Sequence, residues 1–171
     1  ANELNPYACA TYRQNVHDAI ECGDIWSVID RVPKKADVVV GGFPCQDISI
    51  NGKGLGIAGK RSGLYRAMVE VVDRVRPKVF VAENVKGLLM KHNKSSLEAI
   101  LRDFGSLGYK VRYDLYQAAD FGVPQTRERV LIVGTLPGIR EFVPPVPTHE
   151  AGSWVTAGDA IDDLRTTEQS A

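Results

Sequence analysis

Short apolar runs alternate with stretches of helical periodicity along this chain. The runs "ADVVVGG" (36–42), "KVFVAEN" (78–84) and "RVLIVGTL" (129–136) are bounded by polar residues or glycine. Each reads as a strand buried on both faces, as in a parallel sheet. "YKVRYDLY" (109–116) alternates and reads as a half-exposed strand. Between them, Leu64, Met68, Val71, Val72 and Val75 follow helical spacing and predict a helix over about Ser62 to Val75. Ser95-Ser96-Leu97-Glu98 reads as a capping box. It opens a helix with Leu97, Ile100, Leu101 and Phe104 on one face, ending near Gly105 or Gly108. Upstream, Asn5 as cap and Pro6 at the first helical position predict a helix to about Val16. A weakly marked strand follows over Ala19 to Cys22, and "GDIWSVIDRVP" reads as a tight turn, a short helix and a stop at Pro33. Beyond Leu136 the pattern fades into a proline-rich segment, an extended surface stretch, with one short helix in "TAGDAIDDL". Strands alternating with helices predict an α/β fold with a parallel sheet and right-handed crossovers.

Composition narrows this picture little. The chain has 171 residues, long enough for one domain with a real core, at 44% hydrophobic and 25% charged. Its 21 basic and 21 acidic residues cancel, so contact with a polyanion must come from a local patch. No apolar run reaches the roughly 20 residues of a membrane span, and the first residues have no signal-peptide pattern; a cytoplasmic setting is expected. Cys9, Cys22 and Cys45 are odd in number and widely spaced, which argues against a disulfide framework. His17, His92 and His149 are scattered, so no zinc site is expected.

Polar residues of chemical interest fall where strands end: Glu3 before the first helix, Asp24 after the second strand, Cys45 after "VVVGG" and Glu83 after "KVFVA". Open α/β sheets bind ligands at the carboxyl ends of their strands, so four sequence-distant residues would face one crevice. Each also has a plainer reading. Glu3 suits a helix first turn, Asp24 suits an N-cap, Cys45 could be a small buried hydrophobe and Glu83 could pair with a structural arginine. In "PQTRERV", Arg127 and Arg129 share one face of an extended chain with Glu128 opposite; a salt-bridged strand edge is the plainer alternative.

"GGFPCQDISINGKG", "AENV" and "PQTRERV", in this order, closely resemble the DNA (cytosine-5) methyltransferases. "NELNPYACATYRQN" resembles the family's ribose-binding helix start, "GDI" its adenine-contacting turn, and "PPVPTHEAGSWVTAGDAIDDL" the approach to its target-recognition domain. The resemblance implies a Rossmann-like S-adenosylmethionine-dependent methyltransferase fold, mostly parallel with helices on both faces. It implies a partial catalytic domain over 1–143, then a proline-rich segment and short helix over 144–171.

The activity implied is methyl transfer from S-adenosyl-L-methionine to carbon 5 of a cytosine flipped out of double-stranded DNA, in a bacterial, nucleoid-associated restriction-modification setting. By resemblance Cys45 is the nucleophile that adds to carbon 6, and Glu83, with a raised pKa, holds or protonates the ring nitrogen N3. Arg127 contacts the base or orders the thiolate region, with Arg129 supporting it. Glu3, Leu4, Asp24, Ile25, Pro44 and Asn84 fall to the cofactor. Gln46, Ser49, Asn51, Lys53, Arg61 and Val85 fall to the substrate, most of them in a glycine-rich loop that would close over the flipped base. An RNA cytosine-5 methyltransferase and a non-catalytic or split subunit are the alternatives; "GGF" before Pro44 favours DNA. The family also carries a central first strand with a Phe-x-Gly-x-Gly turn. The expectation is therefore that a further part of the polypeptide, or a complementing subunit, supplies that strand and the recognition domain.

Overall fold

The computed structural model describes residues 1–44 and 64–164. Its strands form a two-stranded sheet, β1 (Asn2–Glu3) beside β2 (Glu21–Cys22), and a four-stranded sheet in the order β3-β4-β6-β5. The four strands are β3 (Val38–Gly42), β4 (Val79–Val85), β5 (Lys110–Gln117) and β6 (Glu128–Thr135). The helices are α1 (Pro6–Asn15), α2 (Ile25–Val28), α3 (Leu64–Val75), α4 (Lys94–Ser106) and α5 (Ala157–Ile161).

The parallel expectation holds for β1 with β2 and for β3 with β4. It fails at β6, which runs antiparallel to both β4 and β5. The other three strands of the larger sheet therefore point one way, and β6 is inserted against them. The connection from β5 to β6 contains only a 3-10 turn, Ala118–Phe121, too short for a parallel crossover.

The core lies on one face of this sheet. Phe80, Ala82, Val130 and Ile132 point to α3 and α4, which contribute Tyr65, Met68, Val72, Leu97, Ile100 and Phe104. Phe80 stacks on Phe104 at 4.2 Å between ring centres and meets Tyr109 edge-on at 5.2 Å. Because Phe80 pairs with Gly134 across the ladder, a Cβ on Gly134 would lie 2.0 Å from that ring; only glycine leaves the space.

The register places Val38, Val40, Val81 and Glu83 on the opposite face. α3 and α4 share the first face. β3 is also not buried on both faces: Val38 is 52% and Val40 71% exposed on the face away from the core, and among the described residues β3 pairs with β4 alone. Toward β5 and β6 the proline-rich segment runs back along the sheet, tied by the Lys110–Glu141 ion pair at 2.6 Å.

The α1 cap forms as read, with Asn5 Oδ1 accepting from the Tyr7 and Ala8 amides. The capping box at Ser95 does not form: α4 continues directly from a 3-10 turn at Lys91–Asn93, so Ser95 already lies inside the helix. A genuine capping box opens α5, between Thr156 and Asp159.

Among the described residues, no helix is long and apolar enough to cross a membrane, and no cluster of His, Cys, Asp and Glu could hold a metal ion.

Candidate active site

Glu83 is the fifth residue of β4 and pairs in register with Gly42, the last residue of β3. Its carboxylate folds back over that glycine: a Cβ on Gly42 would lie 3.2 Å from Glu83 Oε2. The carboxylate thus sits at the root of the Phe43-Pro44 turn, whose next residue is Cys45. Phe43 anchors the turn in the core, 6% exposed and edge-on to Tyr65.

Arg129 lies opposite Val85 in the β4–β6 ladder, on the same face as Glu83. Its Nε stands 2.5 Å from Glu83 Oε1, an ion pair by distance whose N–H is not aimed along the contact. Glu83 therefore has an arginine partner, and the pair faces away from the core. Glu128, on the other side of β6, is bound by Lys86 at 2.8 Å through both carboxylate oxygens. That bridge locks the end of β4 to the start of β6 beside the Glu83–Arg129 pair.

Asn84, read from resemblance as a cofactor residue, follows Glu83 in β4. It is 2% exposed and turned to the core face. Its Nδ2 donates to the Phe43 carbonyl at 3.0 Å, and its Oδ1 accepts from the Val85 amide at 2.9 Å. Both ends of the amide are committed to backbone, so Asn84 ties the Glu83 strand to the turn that leads into Cys45. Sequence reasoning missed this role because the bond spans 41 positions. Val85 is 38% exposed beyond it.

Arg127 lies one residue before β6 and is exposed. Gln117 Oε1 accepts from its amide at 2.6 Å. The parallel pair β1/β2 gathers a second group of residues. Glu3 ends β1, its Oε1 accepting from the Asn5 amide at 2.8 Å, while Leu4 beside it is 68% exposed. Asp24 follows β2 and caps α2, its Oδ1 accepting from the Trp26 amide at 2.8 Å, with Ile25 half-buried next to it. The plainer capping reading of Asp24 is thus realised, whereas Glu3 ends β1 ahead of α1, whose first turn holds no acid. Each bond uses one carboxylate oxygen, and Glu3 and Asp24 both follow from the carboxyl ends of the paired strands β1 and β2.

Cys45, Gln46, Ser49, Asn51, Lys53 and Arg61 lie outside the described residues. Of the remaining candidates, Glu83 and Arg129 pair beside Gly42, two residues before Pro44, and Glu3 and Asp24 lie at the ends of the paired strands β1 and β2.

The family model described as C-5 cytosine-specific DNA methylase matches residues 1–169. The type II methyltransferase M.NgoFVII of Neisseria gonorrhoeae is 44% identical over 96% of this chain and 46% of its own length. M.BsuFI of Bacillus subtilis is 39% identical over 83% of this chain and 35% of its own. Among solved structures, a DNA modification methyltransferase encoded within an Escherichia coli prophage superposes with a TM-score of 0.70, at 20% identity, over 94% of this chain and 47% of its own. The chain spans about half the length, or less, of these relatives. The fold is that of the Rossmann-like methyltransferases, and the chain belongs to the C-5 cytosine-specific DNA methylase family.

Proposed function

We propose that the protein containing this chain methylates carbon 5 of cytosine in double-stranded DNA, as part of a bacterial restriction-modification system in the cytoplasm. The observation that carries this reading is the convergence of Glu83, Arg129 and the Pro44 turn at one strand end.

Cytosine is a poor nucleophile at carbon 5. Addition of the Cys45 thiolate to carbon 6 forms an S–C bond and pushes the ring electrons toward N3, where Glu83 delivers a proton. Carbon 5 then has enamine character and accepts a methyl group. Loss of the carbon 5 proton to a base expels the Cys45 thiolate, and return of the N3 proton to Glu83 restores the ring. Arg129 holds the Glu83 carboxyl in place, and Arg127, two residues before it, would supply positive charge toward the base and the thiolate. The base must leave the duplex to reach this site, at a cost of a few kcal/mol. Gln46, Ser49, Asn51, Lys53 and Arg61 would close over it and meet the phosphates.

The donor set at β1 and β2 fits S-adenosylmethionine, which supplies the electrophilic methyl group. Glu3 would accept from ribose hydroxyls, Asp24 from the adenine amine, and Leu4 and Ile25 would cover the adenine faces. A further strand would fit beside β3, which pairs with β4 alone among the described residues and so presents an open edge. That strand completes the cofactor site.

The decisive experiment traps the full-length protein on duplex DNA carrying 5-fluorocytosine in the presence of S-adenosylmethionine. The expected result is a covalent adduct that disappears in Cys45→Ala. Absence of an adduct from the full-length protein overturns the proposal.

A further inference from the structure

The ladder between β5 and β6 ends at the Gln117–Glu128 pair, one step short of Arg127. The next antiparallel pair would join Ala118 to Arg127 through two reciprocal backbone bonds. Only one forms: the Ala118 amide donates to the Arg127 carbonyl at 2.9 Å. The other is lost because the Ala118 carbonyl turns into the 3-10 turn, where it accepts from the Gly122 and Val123 amides. The Arg127 amide would be left without a partner. Gln117 supplies one, its side-chain Oε1 accepting from that amide at 2.6 Å.

We propose that Gln117 is a positioning residue for the methyl-transfer reaction: its side chain replaces the missing ladder bond and so keeps Arg127 extended, on the Glu83 face. The inference rests on the cytosine-5 methyltransferase reading above. Residues two apart share a face only while the chain stays extended. Arg129 is inside β6 and is held by the ladder. Arg127 is outside it, ahead of the strand, and its peptide is fixed by the Ala118 bond and the Gln117 bond alone among the described residues. Without the Gln117 bond, rotation about the Arg127 backbone would release the extended geometry that puts positions 127 and 129 on one face. The cofactor residues Glu3 and Asp24, on the other sheet, do not depend on this contact.

The test is a double-mutant cycle in the full-length enzyme, read as the single-turnover methylation rate on duplex DNA with saturating S-adenosylmethionine. Gln117→Ala is expected to lower the rate about ten-fold, with cofactor Kd within two-fold of the parent, the signature of a lost bond worth about 1.4 kcal/mol in the transition state. In an Arg127→Ala background, Gln117→Ala should cost nothing further, because it acts only through that side chain. A multiplicative loss in the double variant, an unchanged rate in Gln117→Ala, or an unchanged rate in Arg127→Ala each overturns the inference. A Cys45→Ala control separates the two levels. If the 5-fluorocytosine adduct requires Cys45 but the cycle shows no coupling, only the role of Gln117 falls. If the adduct does not require Cys45, the catalytic reading falls with it.

Discussion

Asn84 shows how much depends on single polar groups at the strand ends. The Phe43 carbonyl lies in a buried setting, and Asn84 Nδ2 is the donor that satisfies it. Truncation leaves that acceptor unpaired, which typically costs 1–3 kcal/mol. Asn84→Ala should therefore lower unfolding free energy by about 2 kcal/mol in urea titration, and slow adduct formation at Cys45 by loosening the turn. A variant as stable as the parent would show that the carbonyl finds another partner.

The cysteines offer a second check at this scale. Cys9 is fully buried, and its thiol donates to the Glu3 carbonyl at 3.4 Å. Burial pushes its pKa up, and the adjacent Cys22 thiol pushes it further. Cys22 is exposed. Iodoacetamide at neutral pH should thus label Cys22 well before Cys9, as peptide mass mapping would read; equal labelling would place Cys9 at the surface. Local chemistry such as the Asn5 cap was legible in the sequence because donor and acceptor lie within three positions. The Asn84 bond and the Gln117 bond were not, because their partners are adjacent only after folding.

At the scale of elements, apolar periodicity located β3, β4, α3, β5 and β6 closely but carried no information on strand direction. The shortness of the β5–β6 connection was the available sign that β6 runs backwards, and the buried character of "RVLIVGTL" masked it. Burial on both faces is common to central strands whatever their direction. Gly134 is the price of that insertion, since its antiparallel partner is Phe80. Gly134→Ala must displace a ring stacked on Phe104, and overpacking of this kind costs about 1–3 kcal/mol. A melting temperature several degrees below the parent is expected, and an unchanged one would mean that the Phe80 ring moves freely.

The short α5 is held differently. Asp159 Oδ2 accepts from the Thr156 hydroxyl at 2.7 Å and from its amide at 3.0 Å, and these bonds hold the carboxyl below its ordinary range. A depressed folded pKa stabilises the cap above the unfolded value and ceases to do so as pH falls through the folded one. NMR titration should show the Asp159 carboxyl protonating below the ordinary aspartate range, and Thr156→Ala should move it upward. An ordinary titration in the parent would mean that the capping box does not persist in solution.

For the whole molecule, the arrangement of the two sheets is the feature that the strand patterns could not reveal. The run "ADVVVGG" reads as a strand covered on both faces, and its composition fits that role. Among the described residues it is covered on one face and paired along one edge. The Val79 amide donates to the Asp37 carbonyl, so the alternate residues Val39 and Gly41 also turn their backbone groups to β4. Val38, Val40 and Gly42 then direct theirs to the open side, where unpaired strand edges recruit other strands. In this chain alone, the Val38 and Val40 amides should exchange with solvent much faster than those of Val39 and Gly41. When the proposed additional strand is present, in the full-length protein or added as a separate segment, both sets should become protected together and Val38 and Val40 should lose their exposure. If Glu3 and Asp24 hold the cofactor as proposed, cofactor affinity should rise in the same step. Protection of all four amides in this chain alone would show that the edge is already satisfied, and the proposed strand would then have no place in the fold.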